Sequence, residues 1–176
     1  STGFPHCAIA CDSGRSFRKD ISADYKANRP ASDAALPHQI DLAKEILVAD
    51  GYPVWAVPGF EADDLIATAV KRALEMQGVA VPTTEASILI ISSDKDLTQL
   101  VGPRVRQKRL VRVKVDGVEM EEPILDVAGV IAKSGVRPDQ IGDYLALCGD
   151  TSDNIVGAKG IGPKGAAELL SKWETL

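Results

Sequence analysis

Cysteine, histidine and aromatic residues are scarce in this chain. Its 176 residues include three cysteines (Cys7, Cys11, Cys148), two histidines (His6, His38) and 5% Phe, Trp and Tyr. An odd, scattered cysteine set excludes a disulfide framework, and no Cys/His cluster has the spacing of a zinc site. A reducing compartment is the simplest setting for such a chain. No apolar run approaches the roughly 20 residues needed to cross a bilayer, so no membrane partner is expected. The first residues, Ser1 to Pro5, have neither an initiator Met nor the basic and apolar regions of a signal peptide. Positive charge is also in deficit, at −5 overall. That total argues against a phosphate-bearing partner until its distribution is considered. Setting aside eight of the 25 acids leaves 17 against 20 Lys and Arg, a surplus of three positive charges.

The hydrophobic fraction of 45% and the length suit one domain with a small appended module. His6 to Asp12 (HCAIACD) predicts a short buried strand ending in an acid, followed by a basic and aromatic segment from Arg15 to Arg29. Leu36 to Ala49 has helical spacing, with Ile40, Ala43 and Leu47 on one face. Pro53 to Val57 predicts a strand, Ala62 to Met76 a helix ended by Gly78, and Ala86 to Ile91 a strand covered on both faces. Leu110 to Val115 and Val118 to Met120 flank Asp116-Gly117, a hairpin turn dipeptide. Pro123 to Ser134, Pro138 to Cys148 and Pro163 to Trp173 read as helices with Pro near the first turn. Strands alternate with helices through the first hundred residues, which favours an α/β fold with a mainly parallel central sheet flanked by helices. Residues 123–176 read as a helical region after an α/β part spanning 1–122.

Acids stand at the ends of these elements. Asp12 ends the first strand. Glu61, Asp63 and Asp64 open a helix. Asp94 and Asp96 follow an apolar strand, and Asp150 and Asp153 lie in Gly149-Asp150-Thr151-Ser152-Asp153-Asn154. Ligands of open α/β sheets bind outside the carboxyl ends of strands, so these acids are expected to converge. Two carboxylates about 4 Å apart repel by roughly 4 kcal/mol at an effective dielectric near 20. Divalent cations offset that cost, and an oxygen-only donor set suits Mg²⁺ or Mn²⁺. Each piece alone has a plainer explanation. Acids in a first helical turn complement the helix dipole, an Asp after a strand caps a helix, and Asp in a turn shapes it.

Together these segments resemble the 5′→3′ exonuclease domain of bacterial DNA polymerase I and related phage and organellar 5′ nucleases, the flap endonuclease family. The resemblance is carried by Asp12 with Phe17-Arg18, Tyr25-Lys26-Ala27-Asn28-Arg29-Pro30, Glu61-Ala62-Asp63-Asp64, Ser93-Asp94-Lys95-Asp96, the Asp150–Asn154 segment, and Gly157 to Ala166 (GAKGIGPKGA). It implies a PIN-like nuclease domain with a helical arch and a C-terminal helix–hairpin–helix module. It implies an enzyme that hydrolyses DNA phosphodiesters at 5′ ends or flaps during replication and repair. The resemblance assigns Asp12, Glu61 and Asp63, with Asp64 beside them, to one metal cluster, and Asp94, Asp96, Asp150 and Asp153 to a second. Two Mg²⁺ or Mn²⁺ ions would be held there. Lys26 and Arg29 would face the scissile phosphate as catalytic cations. The implied partners are DNA with a 5′ flap or 5′ end and a fused or separate polymerase. The implied form is a monomer, in a bacterial or phage-infected cytoplasm or an organelle. The family begins with a strand carrying a further acid, and Asp12 already matches its second strand, so the first strand is expected to be missing.

Gly160 and Gly162 predict a tight turn that brings amides near a phosphate, with Lys159 and Lys164 adding charge. The alternative is an ordinary turn between helices. By resemblance this element holds duplex DNA with the help of K⁺. Arg18 and Tyr25 are further DNA-binding candidates, and Tyr25 reads either as a stacking platform for an unpaired base or as a packing residue. Arg104, Arg106, Lys108, Arg109, Arg112 and Lys114 read as the exposed face of a hairpin, and Trp55 and Trp173 as packing residues. Two other functional classes stay open: a non-catalytic DNA-binding module, as a truncated nuclease fragment would be, and an RNase of the PIN type.

Overall fold

The computed structural model describes residues 6–77, 87–110, 112–115 and 118–176. The chain divides into two compact units. Unit 1 comprises Ser1–Thr68 with Thr151–Ile155, and unit 2 comprises Ala69–Asp150 with Val156–Leu176.

Unit 1 opens with β1 (Ile9–Ala10), which pairs in parallel with β2 (Val54–Trp55), Ile9 opposite Val54 and Ala10 opposite Trp55. Between them lie a single turn of helix, α1 (Arg18–Ile21), and α2 (Leu36–Ala49). The chain after β1 is laced to the chain after β2: Gly59 donates its N–H to Ser13 O and accepts at its own carbonyl from Phe17 N–H. Phe17 and Phe60 meet with ring centroids 5.6 Å apart. The expected inward face of α2 is not buried. Ile40 is 44% exposed, and no residue of this helix is fully covered. Trp55, expected to pack inside, is 42% exposed; among the described residues its strand pairs with β1 alone. Helix α3 (Ala62–Gln77) begins in this unit, and its residues from Ala69 onward belong to unit 2. The expected stop at Gly78 lies outside the described residues.

Unit 2 contains β3 (Ile88–Ile91) and β4 (Val105–Lys108), parallel and in continuous register from Ile88–Val105 to Ile91–Lys108. The hairpin reading of 104–108 is therefore corrected: Arg106 and Lys108 sit on a parallel strand whose other face buries Val105 and Gln107. The hairpin itself is shorter, β5 (Arg112–Val115) against β6 (Val118–Glu121), and its Asp116-Gly117 turn lies outside the described residues. Helices α4 (Val127–Ser134), α5 (Ile141–Cys148) and α6 (Pro163–Trp173) follow. Helix α4 starts at Asp126, whose carboxylate accepts the Gly129 N–H at 2.8 Å, and not at Pro123. The side-chain cap, worth roughly 1 kcal/mol, decides where the helix begins. Pro138–Gln140 form a 3₁₀ turn before α5, where one continuous helix was expected.

The core of unit 2 is Val101, Leu125, Val130, Val136, Ile141, Leu147, Ala166 and Leu170, each at most 8% exposed. Two buried glutamines organise its backbone. Gln140 donates to Leu170 O and Glu174 O, closing the C-terminal end of α6. Gln107, with no exposed surface, donates to Ser92 O and Asp94 O. Trp173 stands in the last turn of α6, past this core, and is 68% exposed.

Candidate functional site

In unit 1 the acids gather where β1 ends and α3 begins. Asp12 Oδ1 accepts the Ala62 N–H at 2.7 Å, so an acid fifty residues upstream satisfies one of the orphan amides at the start of α3. Asp63 and Asp64 occupy the first turn. Asp64 is the more heavily engaged. Its oxygens take both guanidinium N–H groups of Arg18 at 2.8 Å, and Oδ2 also accepts the Glu61 N–H at 3.0 Å. The Arg18 bond holds the Asp64 carboxyl below the usual range, and the same bond pushes the Arg18 guanidinium up. Arg18 thus faces Asp64, and its charge is directed inward within unit 1.

Glu61 is reached by two donors, Lys26 Nζ and Tyr25 Oη, each 2.9 Å from Oε2. Burial alone would raise its pKa, but the bonds from Lys26 and Tyr25 outweigh it and the net shift is downward. Tyr25 is 8% exposed, and burial followed by the Glu61 bond pushes its hydroxyl up. The Tyr25 side chain is thus largely covered, with its hydroxyl on Glu61. Lys26 Nζ also lies 3.9 Å from Asp153 Oδ2, and Arg29 donates to Asp153 Oδ1 at 2.8 Å. Asp153 thus shares Lys26 with Glu61 inside this unit.

In unit 2, Asp94 lies in the loop after β3, exposed, and accepts the Asp96 N–H at 2.8 Å. Carboxylate oxygens of Asp96 and Asp150 come within 4.8 Å of one another. Asp150 is 5% exposed, and Lys95 Nζ lies 2.8 Å from it and 3.8 Å from Asp96. Burial works against the Lys95 charge, but the Asp150 bond prevails and raises its pKa. In both units the protein's own cations supply much of the compensation that the sequence alone assigned to divalent ions.

The Gly157–Gly162 turn leads into α6. Gly157 packs so closely that a Cβ there would lie 2.4 Å from backbone atoms of Cys148 and Gly149. Gly160 has φ +83, the left-handed region that glycine adopts freely, and Gly162 precedes Pro163 at the first turn of α6. Lys159, Gly160, Gly162 and Lys164 are all exposed.

Two family models cover nearly the whole chain: the 5′-3′ exonuclease N-terminal resolvase-like domain over residues 2–135, and the 5′-3′ exonuclease C-terminal SAM fold over 136–176. The chain belongs to the 5′-3′ exonuclease family. Its relatives include DNA polymerase I of Rhizobium leguminosarum, 40% identical over 97% of this chain and 15% of that protein. The 5′-3′ exonuclease of Aquifex aeolicus is 40% identical over 89% of this chain and 48% of its own length. The chain thus spans from about a seventh to about half of these relatives. Among solved structures, bacteriophage T5 5′-exonuclease with bound zinc superposes with TM-score 0.67 at 23% identity, over 93% of this chain and 59% of that one. The T5 flap endonuclease in a pseudo-enzyme–product complex with DNA and metal ions gives TM-score 0.66 at 23% identity, over 94% and 59%. These likenesses confirm the α/β 5′-nuclease fold. No helix among the described residues is long and apolar enough to cross a membrane.

Four residues of these sites were not singled out as candidates from the sequence: Lys95 on Asp150, Gln107 beneath the Asp94 loop, Asn28 on Thr151 and Asn154 on Asp24. The position of Asn28 and Asn154 inside motifs already rich in charge was the available clue.

Proposed function

We propose that this chain is a metal-dependent 5′ nuclease that hydrolyses DNA phosphodiesters at 5′ ends or flaps, as in flap or primer removal. The observation that carries the reading is the Lys26 ammonium group, 2.9 Å from Glu61 and 3.9 Å from Asp153. A cation held among acids at the end of a parallel strand pair suits a phosphate whose charge must be met while acidic oxygens serve divalent ions. The donors fit such ions, being carboxylate oxygens only, with Asp150 buried and close to Asp96. Asp12, Glu61 and Asp63, with Asp64 beside them, and Asp94, Asp96, Asp150 and Asp153 would hold Mg²⁺ or Mn²⁺. Bound there, the ions would supply Lewis-acid charge for water attack and for the leaving oxygen. Asp64, with both oxygens engaged, braces Arg18 and the start of α3.

Lys26, with Arg29 beside it, meets the charge on the scissile phosphate. The exposed turn at Lys159, Gly160, Gly162 and Lys164 takes the duplex backbone without reading its sequence, with K⁺ as its ion. In this reading residues 1–122 form the nuclease domain, and residues 123–176 hold the duplex and add Asp150 and Asp153 to the metal ligands. The protein acts as a monomer beside or fused to a DNA polymerase, inside a bacterial, phage-infected or organellar compartment. The test is cleavage of 5′-flap DNA. Cutting in Mg²⁺ or Mn²⁺ that stops with chelator is expected. Binding of the flap without cutting in either ion would instead establish a DNA-binding module, and preference for RNA would establish a PIN-type RNase.

A further inference from the structure

The segment that presents Lys26 is fastened to Thr151–Ile155 by reciprocal bonds. Asn28 Nδ2 donates to Thr151 O at 2.8 Å, and Asn154 Nδ2 donates to Asp24 O at 2.8 Å. Between these two, the Lys26 N–H donates to Asp153 O at 3.0 Å, and Arg29 Nε reaches Ser152 O at 3.4 Å. All of these partners lie in unit 1. Lys26 has φ 54 and Asn154 φ 59. Left-handed backbone in a non-glycine residue persists only where surrounding bonds over-determine it, and a lysine has no side-chain bond to its own backbone that would favour it. Asparagine tolerates this region, which suits position 154.

We propose that Asn28 and Asn154 are positioning residues: a two-sided amide clasp that holds residues 24–29 against the 151–155 loop and so delivers the Lys26 ammonium to the site. The clasp works through Lys26 and touches no substrate. Each amide donates to a carbonyl of the opposite strand of chain, so either loss loosens the same left-handed turn. The kinetic part of this inference rests on the nuclease reading, and the structural part does not.

The experiment compares wild type with Asn28→Ala, Asn154→Gly and Asn154→Asp, each also in a Lys26→Ala background. Asn154→Gly accommodates the left-handed backbone and removes the side-chain amide, while Asn154→Asp keeps the side-chain shape and sets a carboxylate against the Asp24 carbonyl. Hydrogen exchange of the peptide spanning residues 24–29 is read first, with no metal or DNA present. Exchange should accelerate severalfold in all three single variants, with the helices of unit 2 unchanged. On flap DNA, kcat should fall about tenfold at unchanged KM, the scale of one net hydrogen bond at a positioning contact. In the Lys26→Ala background the same changes should cost nothing further. Unchanged exchange in the single variants overturns the clasp. Losses that simply add to that of Lys26→Ala overturn its role in placing Lys26. A wild-type chain that cuts no flap DNA sinks the nuclease reading and the kinetic role with it, while exchange still decides the clasp.

Discussion

The two units are held by different forces. Among the described residues, unit 1 fully buries only Ser16 and Tyr25, and no residue of its helix α2 is fully covered. What organises it is charge and hydrogen bonding: Arg18 on Asp64, Lys26 and Tyr25 on Glu61, Arg29 on Asp153 and Asp12 on the first amide of α3. Unit 2 has a contiguous apolar cluster, and its buried polar residues include two glutamines, Asp150 under Lys95, and the Glu122 carboxylate, which Arg109 and Lys133 meet. The contrast teaches where function is accommodated. The candidate acids of both units sit among exchangeable ion pairs, Lys95 on Asp150 in unit 2 included, but among the described residues only unit 2 adds a close-packed apolar core to them.

This contrast can be broken most forcefully from the core side. Leu170→Ala removes a side chain that is 1% exposed, and unfolding of unit 2 should become easier by about 3 kcal/mol. Denaturant unfolding followed by exchange in α5 and α6 reads this, and a loss below about 1 kcal/mol would show that the core is not close-packed. Gly157→Ala comes next. Its Cβ has no space beside the end of α5, so a loss of about 2 kcal/mol is expected in the same assay.

Acid should act in the opposite order. Glu61 and Asp64 both titrate below their ordinary values of 4.5 and 3.8. A depressed acid contributes stability that is complete above its unfolded pKa and lost as pH falls through the folded one. In chelator, exchange in residues 16–29 should therefore rise as pH drops below about 4, before that of α6, with added salt shifting it the same way. Simultaneous acid loosening of both units would erase the comparison. The smallest expected effect is that of Gln107→Met. It keeps the volume but leaves Ser92 O and Asp94 O without their donor, at a cost of about 1–2 kcal/mol. Exchange of the 92–96 loop should rise more than that of the core helices.

Much of this was legible in advance where local chemistry and position agree. Helix α6 starts at Pro163 and ends at Trp173 as its pattern requires, and α2 matches its predicted span. The acids at the starts and ends of elements are where their spacing put them. Legibility failed where a distant partner decides. The 105–108 strand alternates charge with Val105 and Gln107, and nothing local reveals that the glutamine is fully buried against a loop fifteen residues upstream. Nothing local to Arg18 reveals its bond to Asp64, 46 residues away. The inward face expected of α2 depends on neighbours that its own periodicity cannot supply.

The most direct measurement is the single-turnover rate of 5′-flap cleavage in Mg²⁺ by wild type and by Lys26→Ala, with DNA affinity measured in parallel. On the proposed role of Lys26, its loss should slow flap cleavage by about 100-fold while leaving flap binding within a few-fold. A Lys26→Ala chain that cuts as fast as wild type would contradict the account.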